Sequence, residues 1–452
     1  MGATKKEKAD LDRMTKLRDG MKTTRHAYIG EAGFEYLISL LVSGDLLVFL
    51  LSYFNFNDSV TTIIAHVVTF SCTAQIFSLF FAGRRVKRMV TVCHIINQGC
   101  FVLLYFVPFV PFPDGAKPIV FLTLFIIGHF LNNAINSSKI TWLMRAVPDD
   151  RRGSFTAVKE MISLAAGMGL SMGVGMFADY MKAQNNMEAY YLICAGGLIA
   201  LTLLHTLTLL ISKEPPLPED VKPLPPRAAF RQIFEIPSIG KVMAVGVLWN
   251  IAIGFSVSSF AVYKQGELGF TMFEISLMAT VSALCRLVFS PVMGKLADKI
   301  SFSRNMTICL VIAGLGFLIN AFTVPAFKWI HLAYLCLYSI SMAGINSGSI
   351  NLIFDFVPLS GRQAAMGLKN AIGGVLGFVS ALLGGLLLGA IQGAGGFHIF
   401  GITLYAQQVL SFISFVMIAL LVLYMIFVIF PLQRKREADA KAALYEEEAT
   451  NV

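Results

Sequence analysis

The sequence predicts an all-α membrane protein with twelve transmembrane helices in two pseudo-symmetric six-helix bundles. Three observations carry this expectation. The 452 residues are 56% hydrophobic and only 14% charged, a balance outside that of soluble domains. Segments such as Leu37 to Phe54, Tyr190 to Ile211 and Val409 to Phe430 reach or approach the length of a membrane crossing, where a helix satisfies its own backbone polar groups without water. The chain also repeats itself, in polar residues that are costly in lipid.

Taken in order, the spans begin near residues 29, 59, 88, 117, 154, 188, 238, 270, 304, 328, 363 and 402. Shorter apolar cores, such as Ile119 to Leu131, need polar flanks to complete a crossing. With these spans drawn, Lys and Arg concentrate in the two tails and the even-numbered connections, which places both termini in the cytoplasm of a multi-pass plasma-membrane protein. The net charge of +9 therefore sorts by membrane side and gives no reason to expect a nucleic-acid partner. Met1 to Arg25 is rich in Lys, Arg and Asp and holds no apolar core of a cleavable signal, so the first span is expected to direct insertion. Seven cysteines lie singly in apolar stretches, without zinc-ligand or disulfide spacing, and read as buried small apolar residues.

The organisation expected from these spans is a cytoplasmic tail over 1–25, a six-helix bundle over 26–212, a linker over 213–237, a second bundle over 238–431 and a cytoplasmic tail over 432–452. Lys213 to Pro226 is too rich in proline for a helix and too polar for lipid. Sliding the chain along itself pairs Ile135, Asn136 and Ser137 with Ile345, Asn346 and Ser347. The same shift pairs Val147 and Pro148 with Val357 and Pro358, Arg152 with Arg362, Lys159 with Lys369, and Gly167 with Gly377. Two related halves around a central path are what alternating access needs.

Repeat, linker and topology together resemble the major facilitator superfamily over about residues 26 to 431. Gly294, Lys295, Leu296, Ala297, Asp298 and Lys299, followed by Arg304, are similar to that family's cytoplasmic signature between the eighth and ninth helices. The resemblance implies a tight turn at Gly294 and a latch at Asp298. The matching stretch in the first half keeps Gly83 and its basic neighbours but has Lys87 where the family usually has Asp, so the same latch is not expected there. Arg152 and Arg362, each after a Val-Pro pair, are expected at cytoplasmic hinges. Gly167 to Gly175 has glycines but lacks the Gly-Pro signature of the family's drug antiporters, and suits a close helix contact.

Charged and amide side chains at bilayer depth need a water-filled path or a partner. His129, Asn132, Asn133, Asn136 and Lys139 recur at three- and four-residue steps on the fourth span and are the leading substrate-binding candidates. Trp249 and Asn250 offer an aromatic face beside an amide, and Asn346 repeats Asn136 in the second half. Glu31, Glu35 and Asp45 fall on one face of the first span if it is a continuous helix. Lys159, Arg286 and Lys369 are the cations expected to neutralise them. His66, His94 and His205 are expected to be satisfied by neighbouring helices.

The expected function is a secondary active transporter that moves a small polar solute by alternating access, with a sugar or glycoside favoured. Its expected partners are the solute, the lipid bilayer and a coupling proton or sodium ion, although no sodium site is legible in the sequence. A monomer is expected, with no cofactor. No P-loop, zinc spacing or Ser-His-Asp arrangement stands out, so an enzyme is not expected. Efflux of amphipathic compounds and a non-transporting sensor on the same fold are the alternatives.

Overall fold

A computed structural model describes residues 21–81, 86–113, 115–147, 152–214, 238–357, 362–399 and 402–436, with a few positions between 228 and 235 and at 438. Its helices are α1 (Lys22–Leu41), α2 (Gly44–Leu51), α3 (Asp58–Phe70), α4 (Val86–Phe106), α5 (Lys117–Met144), α6 (Arg152–Ala183) and α7 (Met187–Ile211). They continue with α8 (Ile239–Gly254), α9 (Ser259–Gln265), α10 (Met272–Ile300), α11 (Phe302–Asn320), α12 (Ile330–Phe356), α13 (Arg362–Gly393) and α14 (Ala406–Tyr424). A short antiparallel hairpin, β1 (Phe397–Ile399) and β2 (Ile402–Leu404), joins α13 to α14. Eleven helical segments among the described residues are long and apolar enough to cross a membrane, and α12 adds a helix of 27 residues. Large apolar side chains left exposed, including Ile119, Leu203, Leu386 and Phe427, give these helices the outer surface that lipid requires.

The first span departs from the expected continuous helix. Its helix starts at Lys22 and stops at Leu41, Ser43 is extended (φ −147°, ψ 171°), and α2 begins at Gly44, whose φ of +59° is cheap only for glycine. The carbonyls released by the break are met from outside the span. Tyr105 donates its hydroxyl to the Leu41 oxygen at 2.7 Å, and His129 donates Nε2–H to the Val42 oxygen at 3.2 Å. Asp45 therefore does not continue the face of Glu31 and Glu35. It stands in the first turn of α2, where a carboxylate is favoured by the helix dipole.

A second departure concerns the Gly294 motif. Gly294 to Lys299 is helical, within α10, and the turn comes at Ser301 with φ +97°. Lys, Leu and Ala hold helix well enough to carry one Gly, which costs about 1 kcal/mol. The cysteines also differ from expectation, since Cys100, Cys194 and Cys309 are buried while Cys72, Cys93, Cys285 and Cys336 are only partly so.

The chain divides into two compact units. The first comprises Met1–Asn57, Val67–Pro226 and Phe270–Thr280, and the second Asp58–His66, Arg227–Gly269 and Val281–Val452. The core of the first unit gathers Tyr28, Val90, Ile135, Trp142 and Leu209 from α1, α4, α5 and α7. In the second, Leu388 and Ile391 of α13 pack on Ala406 and Leu410 of α14, and Phe260, Phe317, His331, Tyr334 and Tyr338 form a chain of ring contacts.

Candidate functional site

In the first unit, α1 and α5 carry the polar residues that sequence spacing singled out. Glu31 and Glu35, four residues apart, share one face of α1 and reach the same cation. Lys139 Nζ lies 2.8 Å from Glu31 Oε1 and 2.6 Å from Glu35 Oε1, with Lys139 2%, Glu31 1% and Glu35 25% exposed. His205 of α7 places Nε2 3.4 Å from Glu31 Oε1, and the His94 ring of α4 lies 4.0 Å from the His205 ring. Buried ions of this kind persist only when paired.

The pairing bears on two expectations. Lys139, expected to meet substrate, is the cation of the carboxylate pair. Lys159, expected to be that cation, sits with Nζ 4.9 Å from the Tyr28 ring centroid, as a cation over an aromatic face. His94 and His205 were not expected to join the site. For His94 a signal was present in the spacing of Thr91, His94 and Gln98 along α4, and the structure buries all three.

Beside the charge cluster lies a cavity of about 100 Å³ lined by Glu35, Ser39, Ser43, Gln98, His129, Asn132 and Asn133, among others. Asn97 donates Nδ2–H to Asn132 Oδ1 at 3.1 Å. Asn133 donates to Ser71 Oγ at 2.7 Å and accepts from Gln75 Nε2 at 3.2 Å. The wall thus combines an amide and hydroxyl network and one carboxylate with the apolar side chains of Ile38, Val42, Val68 and Phe101. Asn136 lies on the same helix, half-buried. The buried atoms Gln98 Oε1, Asn97 Oδ1, His94 Nε2 and His205 Nδ1 have no protein partner, a demand that water or a polar ligand meets.

The candidates of the second unit do not share one pocket wall. Trp249, 6% exposed, stacks on Tyr338 at 6.3 Å between centroids, while Asn250 turns back to donate to the Gly246 carbonyl at 2.9 Å. Asn346 is an exposed residue of α12. Lys369 donates to Ser349 Oγ at 3.1 Å, and its stem packs at Gly246. Arg286 is half-buried in α10 and makes no ion pair among the described residues.

Of the expected gating residues, Gly83 lies outside the described residues, as does most of the proline-rich linker. Arg152 opens α6 and Arg362 opens α13. Gly294 and Asp298 lie in the last turns of α10. Arg304, exposed, borders a groove of about 160 Å³ with Ser301, Ser303, Gln433 and Arg434.

A family model described as Major Facilitator Superfamily matches residues 251–446. The chain is 27% identical to monocarboxylate transporter 6 of Mus musculus over 260 residues, covering 52% of this chain and 55% of that one. It is 26% identical to the Homo sapiens protein of the same name over 154 residues, 33% of this chain and 30% of that one. The chain thus spans from about a third to about half of the length of the curated relatives it matches. Among solved structures, the xylose transporter XylE from E. coli in a partially occluded inward-open conformation superposes with a TM-score of 0.63 at 13% identity, covering 90% of this chain and 99% of that one. A D-xylose-proton symporter gives 0.62 at 15% identity over 89% and 96%, and the nucleoside transporter NupG 0.60 at 15% over 91% and 98%. Residues 251–446 thus match the Major Facilitator Superfamily model, and the fold along nearly the whole chain is the one these solved transporters share.

Proposed function

We propose that this chain is a proton-coupled secondary transporter of a small polar solute, working by alternating access, with the cavity of the first unit as part of the solute path. The observation that supports this reading is the charge count of the cluster beside the cavity. Two carboxylates, Glu31 and Glu35, share one ammonium group, Lys139, so with all three ionised one negative charge is left over in a setting where charge is expensive. A proton on a carboxyl or on His205 makes the group neutral. Glu35 is both a member of the cluster and a lining residue of the cavity, so a solute that engages Glu35 alters the demand for that proton. The other charged or titratable groups around the cluster are Tyr28 on α1, His94 on α4, Lys159 on α6 and His205 on α7.

Ser39, Ser43, Gln98, Asn132 and Asn133 put hydroxyl and amide groups into a wall that also holds Ile38, Val42, Val68 and Phe101, a mixture that suits a hydroxylated neutral solute with an apolar face, such as a sugar or glycoside. A second reading, a small monocarboxylate, draws on Arg286, a membrane-embedded cation without an ion pair among the described residues, and on the name of the curated relatives. The distribution of Lys and Arg supports cytoplasmic termini, and the plasma membrane is part of the same proposal.

The test is uptake by proteoliposomes of the purified protein, with and without an inward proton gradient, for radiolabelled sugars, glycosides and monocarboxylates. The proposal expects gradient-driven accumulation of one class. Glu35→Gln should lose accumulation against a gradient while retaining solute exchange. Accumulation that ignores the proton gradient, or that survives intact in Glu35→Gln, sinks the coupling role. A monocarboxylate cargo lost in Arg286→Gln selects the second reading.

A further inference from the structure

In the second unit α11 and α14 run side by side and in opposite directions. Asn320 Nδ2 donates to Ser411 Oγ at 2.9 Å near one end. Midway, a Cβ added at Gly314 would stand 3.4 Å from Ile418. Beyond α14 the chain passes through a π-helical turn, Met425–Ile429, and stays helical to Arg436. There Ser303 donates its hydroxyl to Gln433 Oε1, which pins the end of this last helix to the start of α11. The pinned ends enclose the groove of about 160 Å³ that Arg304 lines from one helix and Arg434 from the other, with Ser301 and Ser303 beside them.

The two guanidinium groups of the groove are unspent. Neither Arg304 nor Arg434 makes an ion pair among the described residues, and no carboxylate lines the groove with them. Arg436, one helical step away, is by contrast engaged, with its guanidinium carbon 4.8 Å from the Phe356 ring centroid. Exposed Lys295 and Lys299 in the last turns of α10, and exposed Lys435, add positive charge at the same end of the unit. Two cations brought to one groove without a counter-charge repel each other, and an anion between them relieves both. Arginine offers its donors in a planar fork that fits the oxygens of a phosphate.

What adjoins the groove is apolar and uncovered. Ile308, Val311 and Leu315 follow Arg304 at helical spacing along α11, and Leu420, Leu423 and Phe427 precede the groove on the other helix; all six are exposed. Phe430 carries the apolar surface into the groove itself. A cationic pair at the foot of two lipid-facing stripes matches a molecule with an anionic head and apolar chains. Anionic lipids are held in this way by basic pockets between helices at the cytoplasmic surface, the side to which the Lys and Arg distribution assigns this end. We propose that the groove between Arg304 and Arg434 is a headgroup site for an anionic glycerophospholipid, its phosphate on the two guanidinium groups and its chains along α11 and α14. A lipid seated there fastens the end of the last helix to the start of α11. The site is separate from the solute path and from the cluster around Lys139.

The experiment is the melting temperature of the detergent-purified full chain, titrated at constant ionic strength with phosphatidylglycerol, with phosphatidylcholine of the same chains, or with inorganic phosphate. A ligand that binds only the folded state raises the melting temperature in a saturable way. The wild type is expected to gain a few degrees more with phosphatidylglycerol than with phosphatidylcholine. The double variant Arg304→Gln, Arg434→Gln should lose that difference, and Lys435→Gln, outside the groove, should keep it. Arg434→Gln alone, a change at an exposed side chain, serves if the double variant fails to fold. Native mass spectrometry should show less retained phosphatidylglycerol on the arginine variants than on the wild type. Equal shifts with the two lipids overturn the proposal, as does a difference that survives in the arginine variants or vanishes in Lys435→Gln. A full shift with inorganic phosphate alone assigns the groove to a free anion and overturns it too.

Discussion

Lys139 and Glu31 form an ion pair at 2.8 Å with both side chains at most 2% exposed, so removing Lys139 leaves Glu31 charged and dry, whereas removing Glu31 leaves Lys139 paired with Glu35. Lys139→Met should lower stability by about 3–5 kcal/mol, read as an earlier melting transition in detergent. Adding Glu31→Gln and Glu35→Gln to that variant should recover most of the loss. A Lys139→Met protein that melts with the wild type would remove the pair from the stability of the unit.

Asp179, in α6, accepts hydrogen bonds from the backbone of Met272 at 3.0 Å and of Phe273 at 2.8 Å. It thus caps the first turn of α10 through space. Asp179→Ala should cost about 1–2 kcal/mol, as the loss of a helix cap does, and Asp179→Asn should cost less. Thermal unfolding of the three proteins side by side decides it, and equal melting of wild type and Asp179→Ala would contradict the capping role.

Gly254 ends α8 where a Cβ would stand 2.6 Å from the Gly377 carbonyl oxygen. Backbone cannot yield as a side chain does, so Gly254→Ala should destabilise by roughly 1–3 kcal/mol through overpacking. Gly240→Ala, where nothing lies within 4 Å of the added atom, is the control and should melt with the wild type. Indistinguishable melting of the two variants would speak against close helix contact at Gly254.

Burial raises the Glu267 carboxyl above its ordinary range, which gives a pH dependence of definite sign. An acid held above its unfolded range binds its proton more tightly in the folded protein, so its contribution is greatest in acid and is lost as pH rises from the unfolded value through the folded one. Wild-type stability should fall over that interval and Glu267→Gln should be flatter. Wild-type stability that rises over the same interval would reverse the expected linkage.

Hydropathy and charge sidedness made the helices legible, because burial in lipid and the placement of Lys and Arg act on local sequence. The helical spacing of His129, Asn132 and Asn133 likewise located residues that line the cavity. What escaped was set by tertiary contact. Lys139 looks like a substrate ligand until α1 brings Glu31 and Glu35 against it, and His205 reads as a lone histidine until its ring meets His94. Asp45 was placed on the face of Glu31 because periodicity assumes an unbroken helix, and the one positive φ at Gly44 defeats that assumption. Gln407 gave no signal, since an amide at a helix start is ordinary and its partner Glu267 meets it only in the packed protein.

The interruption after Leu41 makes the first span an articulated rod rather than a stiff one. Its two freed, buried carbonyls are held by Tyr105 and His129, side chains that belong to other helices, so the joint can bend only as those two residues follow. His129 also faces the cavity. Whatever fills that space therefore presses on the same imidazole that braces the joint, and occupancy and the angle of the first span are mechanically one variable.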